Sequence, residues 1–218
     1  WPHQWFAARR LIETYPDSHL LCDEVGLGKT IEAGLAFRSL WLAGRANSIR
    51  VFAPAALTVQ WLHEMAEKFL LPFRRRVSRD GHYEVADPRT GALSGRRQFL
   101  APMPPTDMVI VVAAHKARRR QPDQVERLPD FNRLYRAIEE HLFPKSRALL
   151  LATATPMQLN PVEAFDLIRF IPGAGAVRCV PELSRVLYAL RDELLLGEFL
   201  GPERSAFLQR YLRDARRC

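Results

Sequence analysis

The sequence predicts an α/β fold, a mostly parallel sheet with helices on both faces. Three observations predict it. The apolar run Leu20-Leu21-Cys22 stops at a glycine-rich turn ending in Gly28, and Lys29-Thr30 then opens a helix. That strand–turn–helix arrangement is the one that grips nucleotide phosphates. Apolar and amphipathic segments alternate along residues 1–172, as strands and covering helices do. Finally, Met108–Val112 and Ala148–Ala152 are apolar without alternation, the pattern of strands buried on both faces.

Each element follows from local signals. Gln4–Thr14 reads as a helix with Trp5, Phe6, Leu11 and Ile12 on its apolar side, ended by Tyr15-Pro16-Asp17. His19–Cys22 is a short strand feeding the glycine-rich turn. Thr30–Ala43 is the next helix, with Gly44 just past its end, where a left-handed residue is wanted. Ile49–Ala53 is a strand stopped by Pro54. Thr58–Phe69 is a helix with Trp61, Leu62, Met65 and Phe69 on one face. Residues 71–105 are rich in Arg, Gly and Pro and read as an irregular basic loop with one short strand near Tyr83. Met108–Val112 is a strand, Arg118–Pro129 a polar connection, Phe131–Leu142 a helix and Ala148–Ala152 a further strand. Asn160-Pro161-Val162-Glu163 places Asn at an N-cap, Pro at N1 and Glu at N3, and that helix runs to about Ile171. Pro172-Gly173-Ala174-Gly175 breaks the pattern. Beyond it lie two amphipathic helices, one striped by Leu183, Val186, Leu187, Leu190 and Leu194, the other by Phe207, Leu208, Tyr211 and Leu212. The expected division is therefore a lobe over residues 1–172 and a short helical extension over residues 173–218.

Composition bounds the function. At 218 residues with 48% apolar content, the chain can build one full core. No apolar run approaches the roughly 20 residues that span a bilayer, and no signal peptide is visible at Trp1-Pro2-His3-Gln4. Cys22, Cys179 and Cys218 are too scattered for a disulfide framework or a zinc site. A cytoplasmic setting with no membrane is the expectation. The absence of an initiator Met admits a fragment. The formal charge is +8, and of 32 basic residues only Lys29, Lys68, Lys116 and Lys145 are lysines. Arginine forks onto phosphate as lysine cannot, which suits a polyanionic partner. A compositional bias toward Arg, Ala and Pro would produce the same balance.

In the glycine-rich turn, backbone N–H groups and the helix N-terminus stabilise phosphate charge, and Lys29 reaches the terminal phosphates. The Thr30 hydroxyl is the usual Mg²⁺ ligand from such an element. The candidate nucleotide-binding residues are Gln4, Gly26, Leu27, Gly28, Lys29 and Thr30. The strict pattern wants a first glycine where this chain has Asp23.

The run Asp23-Glu24-Val25-Gly26-Leu27-Gly28-Lys29-Thr30-Ile31-Glu32-Ala33-Gly34 resembles motif I of superfamily-two helicases, in the Swi/Snf-type branch and its bacterial members especially. Pro2-His3-Gln4 is similar to the glutamine motif that reads adenine. Phe52-Ala53-Pro54 through Gln60-Trp61 resembles motif Ia, which touches nucleic-acid backbone. Thr153-Ala154-Thr155-Pro156-Met157-Gln158 resembles motif III, which couples the nucleotide site to the nucleic acid. The four stand in the family's order. The resemblance implies a RecA-like lobe that binds ATP and Mg²⁺, a nucleic-acid partner, DNA above all, and a second RecA-like lobe. It implies nucleic-acid contacts at Pro54 and Gln60, with Arg118, Arg119 and Arg120 lining the path, and coupling roles for Thr153 and Thr155. His115, which links the nucleotide site to motif III in the family, joins Lys29 as a candidate catalytic residue, although a histidine in a strand-to-helix turn can equally be structural.

Motif II departs from the family. Members carry Asp-Glu where this chain has Val112 and Ala113. The Asp holds Mg²⁺ and the Glu activates the attacking water, and neither Val nor Ala can do so. Asp107 is no substitute, being ~16 Å back along an extended strand and at the end away from the ligand crevice. The expected function is thus the ATP-binding lobe of a helicase-type, nucleic-acid-dependent ATP hydrolase, impaired in hydrolysis. A non-catalytic nucleotide- or nucleic-acid-binding module is the alternative. A generic P-loop kinase or GTPase is a weaker reading, since neither a guanine motif nor a phosphate-acceptor site is visible.

Overall fold

The computed structural model describes residues 1–71, 73, 75–77, 83–86, 91–94, 104–121, 130–156 and 162–171, with 201–203, 205, 206 and 209. Both C-terminal apolar stripes, the Asn160-Pro161 cap and most of the extension lie outside the described residues.

The described chain runs α1 (Pro2–Thr14), β1 (His19–Leu21), α2 (Lys29–Leu42), β2 (Ile49–Phe52), α3 (Ala55–Phe69), β3 (Arg75–Val77), β4 (Tyr83–Ala86) and β5 (Gly91–Ser94). It continues with β6 (Thr106–Val112), α4 (Arg133–Ala137), β7 (Ser146–Ala152) and α5 (Val162–Ile168). The seven strands form one sheet in the order β1-β7-β6-β2-β5-β4-β3. Pairing is parallel from β1 through β5 in that spatial order. It turns antiparallel at β4 and β3.

The expected helices and strands fall within a few residues of their places. The basic stretch differs. Its described residues carry three strands where one was expected, because β2 offers an edge on which β5 pairs in parallel and β4 and β3 then fold back. Arg, Gly and Pro disfavour strand locally, and an available sheet edge overrides that preference. The expected helix Phe131–Leu142 is also different in detail. It starts at Arg133, capped by the Asn132 side chain accepting from the Tyr135 N–H, and widens into a π turn over Ile138–Leu142.

Alternation along β6 divides the core between the two faces. Met108 and Ile110 pack with Phe37, Leu40, Val51, Trp61 and Met65 beneath α1, α2 and α3. Val109 and Val111 pack with Tyr135, Ile138, Leu149, Leu151 and Leu167 beneath α4 and α5. Full burial of each large apolar side chain contributes ~1.5–3 kcal/mol, so a strand buried on both faces is held from both sides. α2 can lie close to α3 because Gly34 has no Cβ; one built there would strike the Phe69 ring. α2 ends as its glycine requires: Gly44 has φ 64°, and the Arg45 N–H donates to the Leu40 carbonyl at 2.9 Å.

Spatial order positions the site. β7 lies between β1 and β6. The parallel strands β1, β7, β6 and β2 all end at one edge, so the turns leaving them meet there.

Candidate functional site

At the end of β1 the turn needs backbone that only glycine adopts without strain. Gly26 has φ 87° and Gly28 φ 94°. Gly28 also serves as N-cap of α2, and the Ile31 and Glu32 N–H groups both donate to its carbonyl, at 2.7 and 3.1 Å. A Cβ at Gly28 would strike the Gln4 side-chain amide. That amide donates to the Leu27 carbonyl at 2.8 Å, and His3 Nε2 lies 3.0 Å from the same oxygen. The start of α1 is thereby fastened to the turn. Leu27 and Val25 keep exposed side chains.

The Lys29 ammonium donates to the carbonyls of Asp23 at 2.6 Å and Glu24 at 2.9 Å. It thus bridges the turn's two ends and must swing from those carbonyls to meet a phosphate. Thr30 is half-buried at the start of α2. One turn further on, Glu32 is fully buried and neither carboxyl oxygen meets a hydrogen-bond donor. Burial and the neighbouring Asp23 carboxyl push its pKa up to about 7, against the pull of Lys29. Glu32 stands in the quoted run, and its place among buried helix residues is the signal that sequence reading passed over.

The end of β6 has the same design with different side chains. Val112 pairs with Ala152 of β7, and Ala113 turns the chain at φ 57°, in the left-handed region. A short 3₁₀ turn over Ala114–Lys116 then presents His115. Its Nδ1 lies 2.8 Å from the Thr153 hydroxyl at the end of β7, which also accepts from the Thr155 N–H at 3.2 Å. Burial first, then Lys116 and Arg118, hold His115 below the usual histidine pKa, with Glu163 opposing. His115, Thr153 and Thr155 are therefore brought together.

Pro54 and Gln60 leave the same sheet edge through α3, whose N-cap is Pro54. Gln60 is exposed and donates to Glu64 at 2.8 Å. The three arginines separate. Arg119 is buried, and its Nε and Nη2 donate to Asp166 at 2.7 and 2.6 Å. It cannot line a nucleic-acid path, and that expectation is corrected: the basic run holds a structural ion pair. Arg118 is half-buried and 3.4 Å from Glu163. Arg120 is exposed and 3.6 Å from Asp130. Asp107 lies near the start of β6, accepting from the Asn47 and Ser48 N–H groups, each at 2.9 Å. It lies far from the nucleotide edge.

No protein-family model matches the chain. A Bacillus subtilis protein described as an uncharacterized ATP-dependent helicase is 33% identical over 177 residues, covering 79% of this chain and 29% of that protein. The RNA polymerase-associated protein RapA of Photobacterium profundum is 34% identical over 184 residues, covering 78% of this chain and 18% of its own length. RapA of Pseudomonas fluorescens is 30% identical over 227 residues, covering 96% of this chain and 23% of its own. The solved SWI2/SNF2 ATPase core of Sulfolobus solfataricus in complex with dsDNA matches in fold with a TM-score of 0.64 at 15% identity, over 98% of this chain and 42% of that one.

The chain belongs to the Swi/Snf-type family of superfamily-two helicases. It spans less than a third of the length of these curated relatives. The chain carries the Gly26–Thr30 run that resembles motif I, but Val112 and Ala113 where the Swi/Snf-type pattern has Asp and Glu. Among the described residues no group of three or more His, Cys, Asp or Glu could hold a metal ion. Thr30 offers a hydroxyl, but Val112 and Ala113 offer no oxygen, so the residues present do not fit a protein-held Mg²⁺. The phosphate cradle itself fits a nucleotide.

Proposed function

We propose that this chain is the ATP-binding lobe of a nucleic-acid-dependent ATPase or translocase, impaired in hydrolysis. The observation that carries the reading is the pairing of an intact P-loop with a β6 that ends in Val112-Ala113. In it, the amides following Gly26 and Gly28 and the swung Lys29 ammonium bind phosphates, and Gln4 and His3 hold the loop in shape. His115 and Thr153 connect the nucleotide edge to the nucleic-acid side. No carboxylate stands at Val112 or Ala113 to activate an attacking water, which favours a non-catalytic nucleotide-binding module as the second reading.

The partners in this proposal are DNA and a second RecA-like lobe, acting in the cytoplasm. Support comes from the +8 charge and from the dsDNA in the fold-matched archaeal complex. Exposed Gln60 and Arg120 and half-buried Arg118 are the proposed backbone contacts, with Pro54 positioning the first of them. Association with RNA polymerase is a property of the RapA relatives, and it extends to this chain only as a proposal.

The decisive experiment is the double reversion Val112→Asp with Ala113→Glu, in a chain joined to a second lobe, with DNA-stimulated ATP turnover as the readout. Turnover only in the revertant supports the reading. Stimulated turnover by the unaltered sequence overturns the claim of impairment.

A further inference from the structure

A network lies just beyond the His115–Thr153 contact. The chain leaving β6 carries Arg118 and Arg119; α5, which follows the Thr153–Pro156 segment, carries Glu163 and Asp166. Arg119 grips Asp166 with two charged hydrogen bonds, both side chains nearly fully buried. Arg118 meets Glu163, itself 3% exposed. The Tyr135 hydroxyl donates to the Asp166 carbonyl at 3.1 Å and accepts from Arg169 at 3.2 Å. Phe131 stacks on Tyr135 with ring centres 3.7 Å apart, and both guanidiniums, Arg119 and Arg169, lie 5.9 Å from the Phe131 ring centre. The segments bearing His115 and Thr153 are therefore joined twice: once at the sheet edge and once through α5.

Two charged pairs are more than packing of α5 requires. Its apolar face, Val162 and Leu167, is already buried. Charged pairs fix direction and register in a way that apolar contact does not. Here they fix α5 relative to the turn bearing His115. If that turn shifts, the hydrogen-bonded fork cannot stay paired.

We propose that Glu163 and Asp166, through Arg118 and Arg119, are positioning residues that hold His115 on Thr153 and so make nucleotide binding and nucleic-acid binding depend on each other. The proposal rests on the nucleotide and nucleic-acid reading above. Allosteric coupling of this kind typically amounts to ~5- to 150-fold in affinity.

The test uses the full chain and two variants, Glu163→Gln and Glu163→Asp. Affinity for a fluorescent DNA duplex is measured with and without ATP, and nitrogen NMR of the imidazole reports the His115 hydrogen bond. The unaltered chain should bind DNA ~5-fold or more differently when ATP is present. Glu163→Gln should bring that ratio close to one and shift the His115 resonances, and Glu163→Asp, which keeps the charge, should restore both. An unchanged ratio with unshifted resonances in Glu163→Gln overturns the proposal, as does equal DNA affinity with and without ATP in a chain that binds both. If the unaltered chain binds no ATP, the functional reading fails. The NMR arm still decides whether Glu163 holds His115.

Discussion

The turn after β1 and the turn after β6 leave neighbouring parts of one sheet edge and solve the same backbone problem. Each passes through the left-handed region, at Gly28 with φ 94° and at Ala113 with φ 57°. Each delivers a candidate functional side chain within two residues, Lys29 in one case and His115 in the other. The first turn carries the glycines and the lysine of the motif it resembles. The second retains its path, its histidine and its contact with Thr153, but no carboxylate. The difference teaches that backbone and chemistry are held by separate causes. The path after β6 is set by parallel pairing of Val111 with Leu151 and Val112 with Ala152, and by the Arg119–Asp166 fork. None of these needs an acid at position 112 or 113.

The largest expected effect attacks that fork. Arg119→Ala leaves the Asp166 carboxyl buried and without its fork, and removing one member of a buried pair costs ~3–5 kcal/mol. Urea unfolding should show this loss, while Lys29→Ala in the other turn, which gives up only the two contacts to the Asp23 and Glu24 carbonyls, should cost less. A loss below ~1 kcal/mol for Arg119→Ala, the range of exposed pairs, would mean that the path after β6 is held by strand pairing alone.

Acid and base behaviour should also separate the two turns. Glu32, beside the first, has a pKa raised from 4.5 to about 7. Its contribution to stability is fully present below 4.5 and is lost as pH rises through about 7. At 1.36 kcal/mol per unit, that amounts to ~3 kcal/mol. His115, in the second turn, has a pKa lowered from 6.5. Its contribution is present above 6.5 and is lost as pH falls through its folded value. Glu32→Gln should therefore become more stable than the parent as pH rises between those limits, and His115→Gln should be relatively more stable in acid. Parallel pH profiles of unfolding midpoint for all three proteins would contradict both assignments.

The comparison explains which parts were legible in the sequence. Gly26, Gly28 and Gly44 announce their turns because only glycine sits easily at φ above zero, and Pro54 marks the end of β2 because it cannot continue the strand. The central strands β6 and β7 were readable because a strand buried on both faces must be apolar throughout. Two things were not. The strands in residues 71–105 depend on an edge of β2, a long-range cause with no local trace. Arg118 and Arg119 read as part of a phosphate-facing run because their acids, Glu163 and Asp166, lie more than forty positions away. A charge run does not display its distant partners.

Next in size is nucleotide grip in the first turn. Lys29→Ala removes one charge-assisted phosphate contact, worth ~1.5–3 kcal/mol, so affinity for a fluorescent ATP analogue should fall ~10- to 150-fold. The equivalent change in the second turn, His115→Ala, should alter that affinity far less, because His115 faces Thr153 rather than the phosphate cradle. Equal affinities for Lys29→Ala and the parent would show that the turn after β1 is an ordinary strand-to-helix bend, and the contrast between the turns would vanish.

The smallest effect is the most specific to the contrast. Ala113 holds φ 57° without glycine's freedom, and an L-residue pays ~1–2 kcal/mol for the left-handed conformation. Ala113→Gly relieves that strain but loosens the unfolded chain, which returns ~0.4–1 kcal/mol. The net expectation is stabilisation of up to ~1.5 kcal/mol by these two terms, read as a higher urea midpoint at constant slope. Gly28→Ala, the reciprocal change in the first turn, should destabilise, since the added Cβ meets both the strained φ and the Gln4 amide. Opposite signs for the two substitutions would establish that the second turn keeps a glycine-like path under a residue chosen for neither strain nor catalysis. A destabilised Ala113→Gly would instead show that the Ala113 methyl makes a packing contact that outweighs the strain, and the turn after β6 would then be actively maintained rather than merely retained.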